Sequence, residues 1–329
     1  MRFFKNVESF IFQASNSHPS SQKTLPPAAT HSIGRCSIIR NLMYPNAAIP
    51  PFRALQTARI LAFSFCICTG LSGSLPALEP KNLPAPVRST LALLTENSPA
   101  AAIEPLKLVG EPLFSIKIPE SGHSREWILD RSGFPLSIQT FEPELPHPVL
   151  QLLKQELAAG NSLEGLSRSF EAGETVYDLD LRSAKGQHTL AVHASGEILS
   201  LEIALSELPG TIQKALLRLS AVGKPEKYFR SEEENNVFFT VGIAATETAL
   251  WVTFKADGSL LEQEETVPWN ALPPPVQRAI QERLSSRERI RVTRKTADRD
   301  LTFDVSVFVA GKFEGFSVSS TGTVSELRP

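Results

Sequence analysis

Residues 177–201 read YDLDLRSAKGQHTLAVHASGEILSL, and two features of this stretch decide the fold. Tyr177 opens an alternation in which Leu179 and Leu181 take one side and Asp178 and Asp180 the other, the period of a strand with one buried face. Gly196 follows Tyr177 by 19 positions, behind Ser195, and supplies a tight turn into a further strand beginning near Glu197. The same pairing recurs at Phe114 and Gly133, Phe239 and Gly258, and Phe303 and Gly322, each 19 apart. A Leu-Pro stands 31 or 32 positions before each aromatic, at Leu83, Leu145, Leu208 and Leu272. The chain therefore carries an internal repeat, and the columns that reveal it hold packing residues rather than chemistry.

Each Leu-Pro predicts a helix start, because the proline presets φ for a first turn and forces the leucine before it to be extended. The apolar positions that follow fit helical spacing: Val87, Thr90, Leu91; Val149, Leu152, Leu153; Ile212, Ala215, Leu216; Val276, Ala279, Ile280. Strands follow, with inward positions Phe114, Ile116, Ile118 in the first copy and Phe303, Val305, Val307 in the last. The expected fold is α+β: four tandem repeats, each one helix packed on a small antiparallel sheet, paired into larger sheets. The units are 79–142, 143–206, 207–269 and 270–329, preceded by an extension over 1–78. A unit of roughly 60 residues is marginal alone, so neighbouring units are expected to share an interface.

The whole chain has 33 Lys/Arg, 35 Asp/Glu and a net charge of −2, yet residues 1–78 hold seven basic residues and only one acid, Glu8. The remainder is acidic, at −8, which argues against unspecific nucleic-acid binding. The stretch ILAFSFCICTGL at residues 60–71 follows Arg53 and Arg59 and runs into Ser72, Gly73, Ser74 and Ala77. That is the layout of a secretory signal peptide, too short for a comfortable membrane span, with Met43 as the expected true start. An organellar transit peptide is the competing reading of the same basic segment. All three cysteines, Cys36, Cys66 and Cys68, fall in this removable region, so no disulfide is expected in the mature chain.

The unit resembles the PepSY-like family, in particular the branch similar to the β-lactamase inhibitory protein. Leu145-Pro146-His147-Pro148-Val149 with Tyr177-Asp178-Leu179, and Leu272-Pro273-Pro274-Pro275-Val276 with Phe303-Asp304-Val305, match its helix start and strand. The resemblance covers residues 83–327. It departs at the turn, where only Asp257 is acidic, and at the opening aromatic, which is Phe three times. It implies a secreted binding or inhibitory module, often directed at enzymes such as peptidases.

No sequence signal supports catalysis. Gly160 to Gly165 misses the nucleophile-elbow spacing by one residue. His123, His147, His188 and His193 lack metal spacing, so neither metal nor cofactor is expected. The basic run Arg287, Arg289, Arg291, Arg294 and Lys295 reads as a solvated strand edge guarded by charge, or as a dock for an acidic partner. Glu232, Glu233 and Glu234 read as a hairpin loop. Asp178 and Asp180 share an outward face and could do acid–base work. The helix-free face of the third unit offers Phe238, Thr240, Trp251, Thr253 and Lys255 as a binding surface with aromatic anchors; the alternative is that a neighbouring unit covers Phe238 and Trp251.

The sequence thus predicts an exported, secreted or periplasmic, non-catalytic module that binds a protein or peptide, as an inhibitor of an enzyme such as a peptidase. A spacer protein of the cell envelope and a carboxylate-dependent hydrolase are the competing classes. No integral membrane span is expected in the mature chain. Export should leave a first residue between Ser72 and Leu83 in mass spectra of the native protein; intact residues 1–42 in an extracellular preparation would overturn both the signal and the late start.

Overall fold

The computed structural model describes residues 79–95, 102–120, 122–171, 174–245, 248–284, 289–297, 300–309 and 311–326. The expected signal peptide and Met43 lie outside them. Four helices stand among the described residues: α1 (Ala85–Thr95), α2 (His147–Ala158), α3 (Gly210–Leu219) and α4 (Pro274–Arg283). Each starts two residues after its Leu-Pro leucine. A short 3-10 turn precedes each helix, and its geometry follows from the leucine, whose N–H donates to the carbonyl three residues back, as from Leu145 to Glu142 at 3.2 Å and from Leu272 to Trp269 at 3.2 Å. Leu83, Leu145, Leu208 and Leu272 are all buried beneath the helices they introduce.

Four strands follow each helix. After α1 come β1 (Ala102–Leu108), β2 (Glu111–Glu120), β3 (His123–Asp130) and β4 (Pro135–Gln139); after α2 come β5 (Ser162–Glu171), β6 (Glu174–Ser183), β7 (Gly186–His193) and β8 (Ile198–Glu202). After α3 come β9 (Lys224–Glu233), β10 (Asn236–Ala244), β11 (Ala249–Lys255) and β12 (Leu260–Thr266). After α4 come β13 (Arg289–Ala297), β14 (Asp300–Val309), β15 (Lys312–Ser319) and β16 (Val324–Glu326). Of the glutamate run expected to form a hairpin loop, Glu232 and Glu233 end strand β9, and only Glu234 enters the turn, where it and Asn235 take positive φ in two-residue hairpin geometry.

One face of the strands packs on the helices. Tyr177, Leu179, Leu181, Leu190 and Val192 form one core with Val149 and Leu153 of α2, and Phe303, Val305, Val307, Phe316 and Val318 form another with Val276 and Ile280 of α4. The constant interval between aromatic and glycine has a physical cause here. Gly133 has φ +77°, and a Cβ on it would stand 2.6 Å from the carbonyl oxygen of Pro86 in the first turn of α1. Gly196 meets Pro148 of α2 in the same way, at 2.9 Å. The turn glycine is thus where the sheet touches the start of the helix, and it needs both the left-handed backbone and the missing side chain.

The expectation of four helix-on-sheet repeats is overturned. Among the described residues, the strands belong to a single 16-stranded antiparallel sheet in sequential order, β1 to β16. The ladder runs across every expected border: Ser137 to Gln139 pair with Ser169 to Ser167, Leu201 and Glu202 with Arg230 and Phe229, and Glu262 to Thr266 with Ala297 to Thr293. A four-stranded unit leaves a row of unpaired N–H and C=O groups on each edge, and the next unit's first strand satisfies them.

The second correction concerns the helix-free face, which was expected to be outward. It is largely buried, because the sheet curls back on itself, the usual consequence of strand twist accumulated over many strands. Leu113, Ile128, Phe134 and Leu136 of the first strands pack on Phe308 of β14, and Val109 packs on Phe229, Ala249 and Trp251. Phe170 and Phe313 stack with centroids 3.6 Å apart.

Gly133→Ala should cost about 2 kcal/mol or more in urea unfolding, from backbone strain plus the clash with Pro86. Gly160→Ala, at φ +94° with nothing near its Cβ, should cost only the backbone part, about 1 kcal/mol. Equal losses would show that contact with the helix start is not what fixes the column.

Candidate functional site

Because the curl buries the helix-free face, polar residues there must find partners within it. Two clusters do so by the same arrangement. Arg291 on β13 donates to both carboxylate oxygens of Glu111 at 2.9 and 3.1 Å and to Asp130 at 2.9 Å, joining β13 to β2 and β3. Lys295, two pleats further along β13, lies between Glu262 and Glu264, the latter at 2.5 Å. The basic run read as a solvated edge or an acidic-partner dock is therefore an interior strand, with Arg291 and Lys295 buried and Arg294 paired to Glu265. Arg287 lies outside the described residues. The signal that could have found this was in the sequence: Arg291 and Lys295 are four apart on one face of a strand, as Glu262 and Glu264 are two apart on theirs.

Electrostatics follow geometry. Burial and the neighbouring Glu264 charge push the Glu262 carboxyl up to about 8, against the pull of Lys295. Burial likewise raises Asp130, outweighing Arg291. Lys295 is disfavoured as a cation by burial, yet Glu264 and Glu262 more than compensate, so its pKa rises.

The third cluster is built on β6. Asp178 and Asp180 share a face as the alternation predicted, but that face is interior: Asp178 is 0% exposed and Asp180 is buried. Thr189 donates to Asp180 Oδ1 at 2.7 Å, while Ser167 reaches Asp178 Oδ2 only at 3.5 Å. Asp178 Oδ1, Ser169 Oγ and Ser200 Oγ are buried without hydrogen-bond partners. Register places Ser167 and Ala191 beside Asp178, and Ser200 beside Ala191. Burial drives Asp178 well above the usual carboxylate range, with the Asp180 charge adding to it. Burial also raises Asp180 to about 6, opposed by the Thr189 bond and reinforced by Glu202.

The residues chosen from sequence as a binding surface are divided by the fold. Phe238 is half-buried and Lys255 exposed, and they face each other across β10 and β11. Thr240 and Thr253 are buried and hydrogen-bonded at 3.0 Å. Trp251, read as an exposed anchor, is 5% exposed and packs on Val109 and Phe229. The reason is steric: Gly242 sits directly opposite Trp251, and a Cβ there would be 2.7 Å from the indole ring, so the ring lies flat over β10 instead of projecting.

One Ser–His contact went unnoticed in the sequence. Ser195 Oγ is 2.8 Å from His193 Nδ1, and Glu174 is 3.7 Å from Nε2. The equivalent turns link Ser132 to Asp130 and Ser319 to Thr321 across the same two-residue interval, so the contact is turn chemistry.

No family model matches the chain, and no curated protein does. Among solved structures, a DUF2874 family protein from Bacteroides ovatus is 14% identical, with 36% of this chain and 88% of that one covered at a TM-score of 0.31. A DUF2874 family protein from Bacteroides uniformis is 17% identical over 35% and 85%, at 0.30. A BLIP-like protein from Bacteroides fragilis is 21% identical over 36% and 84%, at 0.30. The PepSY-like resemblance rests on its short motifs. No helix among the described residues is long and apolar enough to cross a membrane.

The raised carboxyls set an unusual pH dependence. A folded-state pKa above the unfolded one contributes stability that is full below the unfolded value and is lost as pH rises through the folded value. For Asp180 the window runs from about 4 to about 6, and for Glu262 from about 4.5 to about 8. The protein should therefore melt at a higher temperature at pH 5 than at pH 8, with Asp180 alone contributing about 1 kcal/mol. Asp178→Asn should raise stability at pH 8 and shrink the difference; a melting temperature that climbs from pH 5 to 8 would contradict the assignment.

Proposed function

We propose that the protein is an exported, non-catalytic binding module for a protein or peptide partner, acting as an inhibitor of an enzyme such as a peptidase. The observation that carries this reading is the apolar stripe around α3. Leu217 is 74% exposed and Leu205 is 50% exposed. Gln213 ties the two together: its Nε2 donates to the Leu205 carbonyl at 3.4 Å and to that of Leu208 at 2.9 Å, and Leu217 lies one helical turn beyond Gln213 on the same side. Leu205 lies in the 3-10 turn (Leu205–Glu207) that leads into α3 and Leu217 on α3 itself, and exposed leucines held this way suit a partner's apolar groove better than they suit water. Of the residues chosen from sequence, Phe238 and Lys255 offer a second contact point at the rim of the sheet, with the buried Thr240, Thr253 and Trp251 behind them as support. Export rests on the basic, acid-poor residues 1–78 and their apolar run.

The test is paired capture from the extracellular fraction of the source organism. A protein retained by wild type and lost with Leu205→Asp/Leu217→Asp, but kept by Leu157→Asp on α2, supports the stripe. Truncation of a central apolar anchor should weaken binding roughly 30-fold. Retention of every captured protein by the double variant would reject the reading.

A further inference from the structure

The helix-free face holds its buried carboxylates in pairs, and two of the pairs share one cation. Glu111 and Asp130 hold Arg291; Glu262 and Glu264 hold Lys295. Asp178 and Asp180 form a third pair on the same face, and no lysine, arginine or histidine among the described residues makes an ion pair with either. Lys227 is bonded to Glu202 and acts on Asp180 only through its charge, which pulls that carboxyl down without overcoming burial, and Arg182 is bonded to Glu164.

The fold also makes room for this pair at some cost. Gly165, opposite Asp180 at a β-bulge in β5, has no left-handed φ that would call for glycine. Its missing Cβ is where Asp180 Oδ2 fits, since a Cβ there would stand 2.9 Å from that oxygen. The polar side chains on this part of the face are small, Ser167, Ser169, Thr189 and Ser200, and they are joined by the apolar cluster of Val176, Ala191 and Leu199, whereas the same face elsewhere is filled by Phe308, Phe134 and Trp251. Asp178 Oδ1 and the hydroxyls of Ser169 and Ser200 on this face are buried without a hydrogen-bond partner. A buried carboxylate without a cation destabilises the fold, and apolar residues would pack such a site more stably.

We propose that Asp178 and Asp180 form a binding site for a primary ammonium group, which takes the place that Arg291 and Lys295 take in the other two pairs. A primary ammonium has three N–H donors and the bulk of a single methyl group, matching an orphan carboxylate oxygen flanked by serine hydroxyls. The cluster extends to β8, where Thr189 also donates to Glu202 at 3.2 Å, and the β8–β9 ladder beyond it is crossed by the Lys227–Glu202 ion pair and by the bond from Ile203 N–H to the Tyr228 carbonyl. Both carboxyls are held protonated in mild acid by their burial, so the cation competes with protons. This site is separate from the α3 stripe, and either can fail without the other.

The test is thermal melting and calorimetry of the folded protein with n-butylammonium chloride at pH 8 and pH 5. Butylammonium should raise the melting temperature at pH 8 and do so less at pH 5. Asp178→Asn should weaken binding about tenfold or more, and Gly165→Ala, which displaces the Asp180 oxygen, should weaken it without removing either charge. Tetramethylammonium, a cation with no N–H donor, and potassium should have no effect beyond ionic strength. A lysine-bearing peptide that binds where butylammonium does not would identify the ammonium source as a polypeptide side chain, and the reverse as a free amine. No shift with either probe, an equal shift in Asp178→Asn, or an equal shift with tetramethylammonium would overturn the proposal. Circular dichroism of both variants separates lost binding from lost fold.

Discussion

Arg291 decides what kind of molecule this is. Its guanidinium reaches from β13 to Glu111 on β2 and to Asp130 at the end of β3, some 160 to 180 residues away in sequence, and so it closes the first strands onto the last. With that contact made, the helix-free face becomes an interior, and each residue on it must answer to the chemistry of burial. Hydrophobic packing shares the task, through Phe308 on Leu113 and Ile128 and through Trp251 on Val109. The ion cluster adds register, because a bidentate pair tolerates little sliding, whereas aromatic packing tolerates more. Removing one member leaves a buried charge without its partner, and for such clusters that loss exceeds the net contribution of the pair.

Local structure was legible in the sequence because its causes are local. Leu-Pro fixes a helix start by sterics within two residues, a serine before a glycine marks a turn, and period two marks a face; all three predicted the elements around Leu145, Gly196 and Tyr177 correctly. The joining of the sheet was not legible, because the β4–β5 and β8–β9 ladders are made of backbone groups that any sequence supplies. Short seams such as Leu201–Arg230 carry no side-chain signature. The same limit explains the basic run: on a strand of unknown neighbours, Arg291 and Lys295 look alike whether they face water or carboxylates.

The interior could have been suspected from residues that have no other explanation. Gly242 and Gly165 stand mid-strand where glycine weakens a sheet, and each makes room for one particular side chain, the Trp251 ring in one case and the Asp180 carboxylate in the other. The first fills its space with an apolar group that pays for itself in dispersion and burial. The second fills it with a charge that does not. Two other carboxylate pairs on this face hold a cation supplied by the chain, so the same physical rule that makes Arg291 and Lys295 stabilising makes Asp178 and Asp180 incomplete. A fold that keeps a glycine, a bulge and four small hydroxyl side chains around an incomplete pair gives up stability there, and selection for packing alone would have replaced the aspartates with leucine or valine.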